Sequence, residues 1–298
     1  MAVSSQLTKG TQKKNVPTTF SSFMTSPLVV KKVNEMVGGK DGQRFITSII
    51  SAVSTNPALQ DCNPNTILSS AMQGEALKLS PSPQLGHYYM VPFNNKKKGT
   101  KDAQFQIGYH GYIQLAIRSG QYKKINVVAI KEGELIKYDP MDETIEVNLI
   151  QDDALREKTP TTGYYAMFEL VNGFKKTIYW SKAKMENHAD TYSMAFNLEK
   201  YHQLQEGKIP QNEMWKYSSY WYKNFDAMAL KTMLRQLLSK WGIMSIELQM
   251  AFESDMAVIN EDGSKDYVDN PSVANTFTPQ EDAIEVPQEQ IQEEEEPF

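Results

Sequence analysis

Glu206, Gly207 and Lys208 form a short acid–glycine–lysine run. Completed by a distant carboxylate, such a run holds magnesium and polarises water for phosphodiester cleavage. Asp139, Asp142 and Glu143 gather further carboxylate around Pro140. Both groups fall in stretches that read as turns or loops, and matches this short recur by chance, so a metal-dependent nuclease is the minor reading. Gly38-Gly39-Lys40 is followed by Asp41, and Gly99-Thr100-Lys101 by Asp102. Neither makes a phosphate-cradling loop, because an aspartate there repels phosphate. Nucleotide hydrolysis is therefore not expected. His87, His110, His188, His202 and the single Cys62 nowhere take zinc-ligand spacing, and structural roles are expected for all of them. No catalytic residue, metal or cofactor is expected.

A denser constellation runs from 87 to 124. Lys96, Lys97, Lys98 and Lys101 share one loop; Gln106, Tyr109, His110, Tyr112 and Arg118 follow, then Lys123 and Lys124. Single-stranded nucleic acid offers phosphates to cations and flat base faces to aromatic rings, and proteins that hold it without sequence preference supply both. Solvated loop lysines and core tyrosines are the bland alternative. Lys175 and Lys176 lie beside Tyr179 and Trp180, on opposite faces if the segment is a strand. Lys182 and Lys184 come next, and Lys231 and Arg235 share one helical face at a spacing of four.

The charge balance points the same way. The chain has 298 residues and a net charge of −5. Cut at Ala251, residues 1–250 hold 30 basic and 22 acidic residues, net +8, and the remainder holds 14 acidic and one basic, net −13. A basic body suits a polyanion; the acidic tail suits solvation or a partner. No apolar run is long enough to span a bilayer, no secretory signal is evident, and one cysteine fits a reducing cytoplasm.

The elements that must position these residues are legible in outline. Residues 1–26 read as a flexible arm, 27–250 as a core for binding and oligomerisation, and 251–298 as a disordered, partner-binding tail. Phe45, Ile46, Ile49, Ile50 and Val53 recur at helical spacing over 41–54, and Asn63-Pro64 opens a second helix reaching about Leu79. Strands are expected at 87–93, 103–109 and 122–130, with further β segments at 133–138 and 144–150 and a short helix over 109–120. A hairpin turns at Asn172-Gly173 between 162–170 and 174–181. Residues 181–204 and 221–242 read as helices, the second with Phe225, Met228, Ala229, Met233, Leu234 and Leu237 on its apolar face.

The stretch LKLSPSPQLGHYYMVPF, followed by AQFQIGYHGYIQLAIRSGQYKKINVVAIKEGE, closely resembles the central motif of RecT-type single-strand annealing proteins. The likeness is strongest over residues 75–135, and the layout fits across 30–250. The resemblance implies an α+β fold, a small antiparallel sheet with a crossing helix, flanked by helices and ending in the disordered acidic tail. It also implies homo-oligomeric rings or filaments that hold single-stranded DNA along a basic groove. A complementary strand is captured there and an annealed duplex intermediate forms without ATP, in phage-type recombination inside a bacterial host cell. A partner exonuclease and the host single-strand binding protein are implied as contacts of the tail. Gln106, Tyr109, His110, Tyr112, Arg118, Lys123 and Lys124 are the matched DNA-facing positions. His110 stands where many relatives carry lysine, so it ranks below Arg118. A DNA-binding protein without annealing activity is the principal rival.

Overall fold

The computed structural model describes residues 19–96 and 98–267. A helical layer comes first: α1 (Phe20–Met24), α2 (Pro27–Val37), α3 (Gly39–Ser54), α4 (Pro57–Gln60) and α5 (Pro64–Ala76). Phe45, Ile46, Ile49, Ala52 and Val53 fall on one face of α3 and are buried. Gly42 lets α2 approach α3 closely, since a Cβ there would run into the Asn34 side chain. The Asn63 side chain caps α5 by accepting from the Asn65 amide at 3.1 Å, with Pro64 in the first turn.

Next come β1 (Tyr88–Asn95), β2 (Thr100–Ile107), α6 (Tyr109–Arg118) and β3 (Tyr122–Lys131). The hairpin strands extend further into the basic loop than periodicity indicated, because the Asn95 amide donates to Asp102 Oδ2 at 2.9 Å across their closing turn. Then follow β4 (Leu135–Asp139), β5 (Thr144–Val147), α7 (Asp153–Lys158), β6 (Thr161–Leu170) and β7 (Lys175–Ser181). Gly173 takes φ 87° in the β6–β7 turn, a conformation L side chains rarely adopt. The expected helix over 181–204 is two helices, α8 (Lys182–Tyr192) and α9 (Leu198–Gln205), because Asn197 starts a new one by capping the Lys200 amide. A 3₁₀ segment Gln211–Tyr217, α10 (Tyr220–Lys223) and the long α11 (Phe225–Trp241) complete the region where sequence reading expected the core to end.

The core does not end there. α12 (Ile246–Ser254), β8 (Ala257–Ile259) and β9 (Lys265–Tyr267) continue it, which corrects the placement of the tail at Ala251. Ala251, Phe252, Ala257, Val258 and Ile259 are buried. The expected tail beyond 267 and the expected arm over 1–18 lie outside the described residues. The part of that arm from Phe20 onward is α1, with Met24 fully buried.

The strands form three antiparallel sheets, ordered β1-β2-β8-β9, β3-β6-β7 and β4-β5. Two hydrophobic cores result. The first joins α3 and α5 to the four-stranded sheet, α6 and α12. The second packs Tyr164, Ala166 and Phe168 of β6 against Met185 and Ala189 of α8 and Phe225, Ala229, Met233 and Leu237 of α11. Leu234 and Leu238, on the other edge of α11, belong to the first core. α11 thus contributes one edge to each core and crosses between the two layers.

Residues 132–160 stand apart, contributing nothing to either core. Their anchor is polar. Glu134, wholly buried, accepts from Arg156 Nε at 2.6 Å and Nη2 at 3.1 Å, and from the amides of Lys131 and Ile150. Those bonds hold the Glu134 carboxyl below its usual range despite the opposing effect of burial.

Candidate nucleic-acid interface

The structure distributes the basic positions over four places. In the β1–β2 loop, Lys96 is exposed and Lys97 lies outside the described residues. Lys98 bonds Asp266 at 2.8 Å, and Lys101 meets Asp61 at 3.2 Å. Carboxylates thus already meet the ammonium groups of Lys98 in that loop and of Lys101 at the start of β2.

Around α6, His110 is exposed and bonds the Leu85 carbonyl at 3.0 Å; Tyr109 is half-buried, with its ring 5.7 Å from that of His110. Gln106 donates to Gln104 at 2.7 Å. Tyr112 is a correction: it is fully buried and donates to Asp255 at 2.7 Å, so its ring is core and offers no face to a base. Arg118 donates to the carbonyls of Leu77 at 2.6 Å and Lys78 at 3.4 Å. Its guanidinium closes the end of α5, a structural task sequence reading did not foresee.

At the start of the second sheet, Lys123 pairs with Glu169 at 2.7 Å, and Lys175 approaches the same carboxylate at 3.8 Å. Lys124 is exposed, with no carboxylate within 4 Å among the described residues.

The fourth place, the β7–α8–α11 trough, is the strip where β7 carries Lys176, Ile178 and Trp180 between α8 and α11; Ile178 and Trp180 are half-buried and also pack against the second core. Strand alternation sends Lys176 to the face opposite Lys175, where its ammonium sits 3.4 Å from the Trp241 ring centre and also bonds Glu143. Further along the same face, Trp180 lies under the Lys184 ammonium at 4.7 Å. Lys184, His188 and Tyr192 stand at i, i+4 and i+8 on α8. Their rings continue the series, Trp180 to His188 at 5.1 Å and His188 to Tyr192 at 4.5 Å. Lys182, half-buried, opens α8. Burial, then the positive charges of Arg235, Lys240 and Lys184, push the His188 imidazole down to about 4. The acids of α8 look elsewhere: Glu186 meets His202 at 3.5 Å, and Asp190 accepts from the Leu198 amide at 2.8 Å.

Lys231 and Arg235 are corrected in part. They are not an exposed helix face. Arg235 Nε bonds Asp255 at 3.2 Å, and Asp255, 1% exposed, also accepts from the Ile107 amide and Tyr112. Lys231 is driven below its usual range by burial first, against the pull of Asp255. Arg235 keeps one-fifth of its side chain exposed and its charge is felt by His188, whereas Lys231 is half-buried.

His188, Tyr192, Lys240 and Trp241 were missed in the sequence. The spacing of Lys184, His188 and Tyr192 was readable there, but not that α11 would bring further cations opposite. Glu206 and Lys208 pair with each other on the surface at 2.6 Å. Among the described residues no three His, Cys, Asp or Glu side chains group closely enough to hold a metal ion, and no helix is long and apolar enough to cross a membrane.

Comparison with known proteins places the chain. The model of the RecT family matches residues 43–271. YqaK of Bacillus subtilis (strain 168), a protein described as uncharacterized, is 39% identical over 283 residues, covering 93% of this chain and 86% of its own. Protein RecT of Escherichia coli (strain K12) is 30% identical over 216 residues, covering 72% and 71% respectively.

Proposed function

The chain belongs to the RecT family, and from that premise we propose that it binds single-stranded DNA in the β7–α8–α11 trough and anneals complementary strands without ATP. Family membership itself supports a role in phage-type recombination or strand annealing. The observation that carries the finer reading is the convergence of Lys184, Arg235 and Lys240 on a half-buried imidazole within a run of rings.

Cations in the trough neutralise phosphates, and Trp180, Tyr192 and Trp241 offer flat surfaces to bases. A strand held this way keeps its pairing edges free. Annealing is opposed mainly by phosphate repulsion and by folding of each strand on itself. A protein that removes both obstacles needs no fuel, since pairing supplies the free energy. One protomer covers few nucleotides, so repetition of the trough along an oligomer supplies affinity by multivalency. Many weak phosphate contacts make that affinity steeply salt-dependent. His110, Arg118, Lys123 and Lys124 lie on other surfaces and form a second, weaker route for the strand. The acidic tail is available to a partner exonuclease or a single-strand binding protein.

Labelled complementary strands mixed with the protein, in the absence of nucleotide, test this reading. Pairing should be accelerated, and DNA should survive magnesium intact. Tight strand binding with no gain in pairing rate would reduce the protein to a DNA-binding module; cleavage abolished by Glu206→Ala would make it a nuclease.

A further inference from the structure

The region 132–160 carries nine acidic and three basic residues, net −6, whereas the rest of 19–250 carries 24 basic and 13 acidic, net +11. Three of the lobe's apolar side chains stand outward: Met141 is 89% exposed, Ile136 60% and Leu155 55%. Three large apolar side chains exposed on a segment that supports neither core are available to a covering surface. Their acidic surroundings specify its sign. A polyanion is repelled by the lobe, and a basic protein surface is attracted.

We propose that the lobe of one copy docks on the basic body of the next. The occupant is a second copy of this chain because the opposite charge lies on the same molecule, outside the lobe. A patch that fits a different patch on its twin makes a head-to-tail contact, and such contacts generate rings or open filaments rather than closed dimers. The buried Glu134–Arg156 pair gives the lobe a fixed base from which to present Met141 and Leu155. This rests on the assembly reading above and adds which surface assembles.

The test is sedimentation of the full chain, alone and with oligonucleotide, beside the double variant Met141→Lys/Leu155→Lys. Both side chains are exposed, so the variant should keep the wild-type melting temperature and circular dichroism. It should sediment as a monomer while the wild type assembles. Mixed in at sub-stoichiometric amounts, it should shorten wild-type assemblies, because it still offers its basic side but cannot extend the chain. The conservative pair Met141→Leu/Leu155→Met should assemble normally. Assembly of the lysine variant as readily as wild type would overturn this inference alone. A wild-type chain that never assembles would overturn the assembly reading with it.

Discussion

The trough and the lobe meet at Lys176, whose ammonium covers Trp241 and bonds Glu143 from the lobe, yet they are built on opposite terms. Around the trough, side chains of α8 and α11 do double duty: one edge of each helix fills the second core, and the remainder lines the open face. The lobe has no such backing. Its anchor is one buried carboxylate with four donor bonds, joined by the Tyr138 ring 5.1 Å from that of Tyr179 on β7, while Met141, Ile136 and Leu155 face out. One region therefore has chemistry built onto packing. In the other, packing is left over for something outside the protomer.

The largest effect that would break this contrast is in the lobe's base. Glu134→Ala leaves the Arg156 guanidinium without its carboxylate, and losing one partner of a buried pair costs roughly 3 kcal/mol. Hydrogen exchange should show protection lost over 132–160 and retained in α11; loss in both would mean the lobe is part of the main cooperative unit after all. Next, Lys184→Glu with Lys240→Glu should weaken oligonucleotide binding by roughly 100-fold at low salt and flatten the log–log salt slope by about 1.4, two phosphates' worth for a single strand. Lys137→Glu in the lobe should leave both quantities where they were. Equal losses in the two would erase the division of labour.

Smaller effects sharpen it. Tyr192, 47% exposed, should act as a stacking surface, so Tyr192→Ala should cost about 1–2 kcal/mol in strand affinity while melting stays within a few degrees. His188 gives the subtlest signal. Its folded value, about 4, lies below the ordinary value of 6.5, so its neutral form stabilises the fold. That contribution is complete above 6.5 and declines as pH falls toward 4. His188→Gln should flatten the melting profile in that window. A phosphate in the trough offsets the neighbouring cations, so wild-type binding there should take up protons and tighten as pH drops. A calorimetric proton count of zero in two buffers would put the phosphate elsewhere.

Much of the fold was legible because local signals agreed. The α3 stripe, the Asn63-Pro64 start and the Asn172-Gly173 turn each carry their information within a few residues. What escaped was long-range. β8 is three residues long and exists as a strand because β2, far earlier in the chain, offers Gln104 and Phe105 as partners for Val258 and Ala257. Tyr112, Lys231 and Arg235 looked like surface chemistry until Asp255, in a stretch whose composition read as tail, reached them. Likewise His188 has Lys184 on its own helix, but Arg235 and Lys240 reach it only because α11 folds back over β7.

β2 is the middle of its sheet, flanked by β1 on one side and by β8 on the other. During synthesis β1, β2, α6 and α11 are all made before Asp255 and β8. Until then the nascent chain carries a bare strand margin at Gln104–Phe105, and the Ile107 amide and the Tyr112 hydroxyl lack the carboxylate that accepts from them. An exposed margin of that kind invites pairing with a neighbouring polypeptide. Expression products truncated before residue 255 should therefore collect in inclusion bodies, and those ending after 267 should not.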